Sequence, residues 1–75
     1  MLAIVFYNVI DSHKNPHENS HVQMAQLDVS DSIDEHLRCI LITDLCRTLS
    51  ILHGFHFNGI AEIKTYPEPP VKNCE

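Results

Sequence analysis

His17-Glu18-Asn19-Ser20-His21 spells H-E-x-x-H. On a helix this spacing sets two imidazoles on one face to hold a metal while the glutamate activates water. His13 adds a third imidazole at the same four-residue step. The surroundings argue against that chemistry. Pro16 precedes the first ligand, polar Asn19 and Ser20 fill the middle, and no glycine signature follows. A chain of 75 residues leaves little room for a substrate cleft. The plain reading is a polar, histidine-containing loop, so no metal ligand and no catalytic residue is assigned. A metal-binding protein built on His13, His17, Glu18 and His21 stands as the alternative.

The cysteines lead to a similar result. Cys39 and Cys46 lie seven residues apart on one flank of a helix, too far for a disulfide within it. A metal site there with His36 or His53 needs four convergent ligands, and the sequence does not assemble them. Free cysteines more commonly act as small buried apolar residues. Three cysteines, an odd number, with no CxxC pair point to reduced thiols and an intracellular, cytoplasmic setting. No Ser-His-Asp arrangement can be argued from spacing. With only Gly54 and Gly59 there is no glycine-rich phosphate loop. The expectation is a protein that is not an enzyme and carries no cofactor.

Asp28, Asp31, Asp34 and Glu35 crowd four carboxylates into eight positions. Helix capping and the helix dipole account for most of them. The functional reading is an anionic contact patch that pairs with Lys and Arg on a partner. Composition agrees with the second use. Ten acidic residues outnumber five scattered basic ones, giving a net charge of −5. Without a basic stripe, direct nucleic-acid binding is disfavoured. Protonation of all six histidines would carry that −5 to +1, so acid removes the anionic character. Pro67-Glu68-Pro69-Pro70-Val71-Lys72 fits a loose polyproline pattern, which at a chain end usually marks only an extended tail.

These residues hang on few elements. LAIVFYNVI (2–10) is rich in β-branched and aromatic residues and apolar on both alternating sets, the pattern of a central strand covered on both faces. DSHKNPHENS (11–20) reads as a loop. HVQMAQLDV (21–29) reads as a second strand with a phase slip, which a bulge near Met24–Ala25 would reconcile. A short helix from Asn15 is its rival, disfavoured because strand 2–10 needs a neighbour. Residues 32–53 form a long helix, with Ser32 and Glu35 as a capping box and Gly54 at the left-handed C-terminal position. His53 and His56 bracket that end and could place a cation at the negative pole of the helix dipole. The last strand falls at about 59–66, with Asn58-Gly59 able to turn a tight hairpin. The order β-β-α-β predicts an α+β fold. A small antiparallel sheet of about three strands carries one long helix across one face, in a single compact domain over 1–66, and residues 67–75 form an extended proline-rich tail.

The helix carries more apolar surface than this fold can hide. Ile33, Leu37, Ile40, Leu41, Leu45, Leu49, Ile51 and Leu52 form the expected stripe. Cys39, Ile42 and Cys46 extend it to roughly 240° of the circumference. An ordinary surface helix buries a stripe somewhat over ~100° wide. The longest apolar run, ILI at 40–42, is far below a membrane span. The surplus therefore predicts a protein partner with a basic surface, or a second copy in a homodimer. The contact residues would be Cys39, Ile42 and Cys46, with Asp28, Asp31, Asp34 and Glu35 adding electrostatic selectivity. In general character (small, acidic, one domain, no catalytic constellation) the chain resembles phage-encoded inhibitors of host enzymes or defence systems. That resemblance covers no motif. It implies a binding protein that inhibits; a structural or assembly subunit is the other alternative.

Overall fold

The computed structural model describes residues 1–11 and 20–67. Three strands and one helix follow in the order β1 (Leu2–Asp11), β2 (Ser20–Asp28), α1 (Glu35–Leu52) and β3 (Phe55–Tyr66). The strands form one antiparallel sheet in the spatial order β2-β1-β3, and α1 packs across one face. This is the α+β architecture that the element order predicts. Of the loop read at 11–20, Asp11 ends β1 and Ser20 begins β2; residues 12–19, which hold the His13–Glu18 segment, and the proline-rich tail after Pro67 lie outside the described residues.

β1 sits in the middle, as its apolar alternation requires. Its odd positions Ala3, Val5, Tyr7 and Val9 are buried beneath the helix. Its even positions are only half-buried, and Leu2 is exposed. The expected cover on both faces is therefore present on the helix side alone. β2 pairs with β1 in unbroken register from Leu2↔Asp28 to Ile10↔Ser20. The anticipated bulge at Met24–Ala25 does not exist. Ala25 points into the core, while Val22 and Met24 sit exposed on the open face, so no phase slip is needed.

The irregularity falls in β3 instead. Its register against β1 shifts between Phe6 and Tyr7 and again between Tyr7 and Val9. Asn58 and Gly59 lie inside this strand and turn no hairpin. Gly59 takes a φ of 112°, left-handed backbone that side chains disfavour, and the strand absorbs the extra residues there.

The helix begins two residues later than the capping-box reading. Asp34, with extended backbone, accepts the Leu37 N–H at 3.0 Å. Ser32 is instead tied to Ser30, hydroxyl to hydroxyl, at 2.8 Å. At the other end His53 caps the helix and Gly54 follows at φ 80°, the left-handed residue expected there.

α1 leans on β3 and touches β1 less. The residues it buries are Ile42, Cys46 and Ser50, one per turn. They meet Val5, Tyr7 and Val9 of β1, with Phe57, Ile60 and Ile63 of β3 packed alongside. Tyr7 and Phe57 stand with ring centroids 6.1 Å apart. Full burial of Ile42 contributes about 1.5–3 kcal/mol of transfer free energy.

Candidate functional site

The division of α1 between core and surface reverses the sequence expectation. Ile42 and Cys46, assigned above to a partner, are each 0% exposed and belong to the core. Cys39 is half-buried and disulfide-bonded, against the expectation of reduced thiols. A stripe assigned to the sheet instead faces outward: Leu37, Ile40, Leu41, Ile51 and Leu52 are between 43% and 75% exposed. The reason is steric. β1 contributes bulk in Val5, Tyr7 and Val9, and the helix covers it with the row Ile42, Cys46 and Ser50, two of which are small. Two small residues four apart beside a β-branched run were the available signal, and apolar counting alone misses it.

Because α1 leans toward β3, the helix-side face of β2 keeps a gap beside it. The gap is an open groove of about 340 Å³. Leu27 and Val29 form its strand wall, Leu41 and Leu45 its helix wall, and Ile33 closes one end. Asp28, Ser30, Asp44 and Thr48 line its rim. An apolar floor with carboxylates at the edge can hold an apolar side chain and pair with a cation beside it.

The acidic residues have structural duties as well. Asp28 and Asp31 lie 3.5 and 3.4 Å from the Met1 amino group, which also donates to the Val29 carbonyl at 2.8 Å. Asp34 caps the helix, and Glu35 lies in its first turn. Asp44 stands 3.8 Å from Arg47, both largely exposed, so the pair is a weak one. The carboxylate side chains of Asp28, Asp31 and Asp44 remain mostly in water. Of the four predicted contact carboxylates, the structure brings Asp28 to the groove; Asp44 joins it there, a residue the sequence reading did not select.

The buried polar groups do not form a reactive centre. Burial pushes the Cys46 thiol up to about 11, so it stays protonated at neutral pH and is a poor nucleophile. Burial likewise raises Tyr7, with Cys46 adding to the effect and the Ser50 hydroxyl opposing it. His17 and Glu18 fall outside the described residues. His21, which is described, shares a 3.0 Å contact with Gln23 and meets the Phe55 ring edge-on at 4.8 Å. Among the described residues no group of His, Cys, Asp and Glu is placed to hold a metal ion, and no helix is long and apolar enough to cross a membrane. Comparison with protein-family models, with curated proteins and with solved structures returned no match.

Proposed function

We propose that this chain is a non-enzymatic protein-binding module whose docking surface is the α1/β2 groove and the leucines beside it. The observation that carries the reading is the exposure of large apolar residues along one side of α1, next to an open apolar groove. Contiguous exposed apolar surface of this kind, rimmed by polar groups, marks interaction sites in small proteins. Asp28 and Asp44 at the groove select the occupant by charge: an amphipathic segment with apolar residues on one face and Lys or Arg flanking them. A module that occupies a basic segment prevents that segment from reaching anything else, which is how it would act as an inhibitor.

A leucine–lysine amphipathic peptide titrated into labelled protein tests this. Methyl resonances of Leu27, Ile33, Leu41 and Leu45 should shift, and added salt should weaken the binding. A peptide of the same apolar pattern with glutamate for lysine should bind at least about tenfold more weakly. Binding that ignores the sign of the peptide's charge, or leaves those methyls unmoved, would overturn the reading.

A further inference from the structure

The two edges of the sheet are built differently. β3 is interrupted by two register shifts, carries His56, Glu62 and Lys64, and runs into Pro67. Bulges, charges and proline are the usual protections of an exposed edge against another strand. β2 has none of them. Its register is continuous, residues 20–27 contain no Asp, Glu, Lys or Arg, and no described strand pairs with its outer side. Val22 and Met24 on its open face are each 54% exposed.

We infer that β2 is a self-association edge, where a second copy of this chain adds its own β2 antiparallel to extend the sheet to six strands. This surface is separate from the groove and does not depend on it. Charge permits a second copy as the occupant, and the strand's fit to its own reverse favours one. Two copies of net charge −5 repel over most of their surface, but they meet here along an uncharged stretch. The strand is also complementary to its own reverse. With the two-fold axis at Gln23, Val22 of each copy opposes Met24 of the other on the open face, so both exposed residues gain an apolar cross-strand neighbour. On the helix face His21 then opposes Ala25. An axis perpendicular to the sheet keeps both helices on one side, leaving the two grooves side by side.

Sedimentation equilibrium on the full chain, paired with isotope-mixed NMR, tests the inference. The chain should dimerise, and a mixed sample should show contacts between Val22 and Met24 methyls of different copies. V22K/M24K sets lysines against one another across the axis at exposed positions, and should weaken the dimer by at least about tenfold. A61K, an exposed position on β3, should leave it unchanged. Should V22K/M24K fail to fold, the inter-copy contacts in the unmodified protein decide the matter alone. A chain that stays monomeric at its highest attainable concentration overturns the inference, as does a dimer without those contacts. A dimer dispersed by L41K and indifferent to V22K/M24K overturns it too, and moves the interface to the helix.

Discussion

α1 has a dry side and a wet side, and the bulkier residues are on the wet one. Ile42, Cys46 and Ser50 face the sheet, while Leu37, Ile40, Leu41, Ile51 and Leu52 face water. A helix that only needed to hold the fold would reverse the arrangement, because burial of leucine is worth more than burial of serine. Close packing decides the dry side: the sheet supplies the volume and the helix supplies the small surface that fits over it. The wet side is free of that constraint. Its leucines contribute little to the isolated domain, which makes them the residues available to a partner.

Ile42 and Leu41 are neighbours on opposite sides of this division, and truncating each should separate the two sides most widely. Ile42→Ala should cost about 3 kcal/mol, the transfer term plus a cavity. Leu41→Ala should cost less than about 1 kcal/mol. Urea denaturation measures both, and equal losses would erase the distinction.

Alkaline pH probes the dry side alone. The unfolded Cys46 thiol ionises near 9.0, whereas the folded one holds its proton to about 11. The protonated form is the one that folding favours. The thiol's contribution is therefore complete below pH 9, and is lost as pH rises toward 11. The loss is on the order of 2–3 kcal/mol, with Tyr7 adding to it in the same direction. Cys46→Ala should flatten most of that slope in a pH series of denaturation curves.

Which residues face inward depends on where the helix starts. Asp34→Ala removes the observed cap and should cost about 1 kcal/mol, whereas Ser32→Ala should change stability by a few tenths. The reverse order would restore the capping-box start at Ser32. The smallest effect belongs to Ser50. Ser50 is buried and its hydroxyl lies beside Tyr7 without a hydrogen bond of full geometry, so Ser50→Ala should change stability by less than about 1 kcal/mol in either direction.

Local chemistry made the elements legible. Apolar alternation placed β1 at the centre, and Gly54 closed the helix where left-handed backbone was required. Tertiary relations were not legible to the same degree. Counting apolar residues around α1 gave the width of its greasy surface but not the phase, since the phase depends on which side chains fit over Tyr7 and its neighbours. The parity of Val22 and Met24 looked like a slip only on the assumption that strand hydrophobes face the core. The turn propensity of Asn58-Gly59 gave way to continued pairing of β3 with β1. The groove escaped sequence reading because it exists only through the lean of α1 toward β3.

Placing an aspartate on either side of α1 is the most direct test of the central claim that its wet side is kept for a partner. Leu41→Asp should melt as the unmodified domain does while losing the basic amphipathic peptide, and Ile42→Asp should fail to fold. A folded Ile42→Asp beside an unfolded Leu41→Asp would contradict the assignment of the two sides, and with it the docking surface.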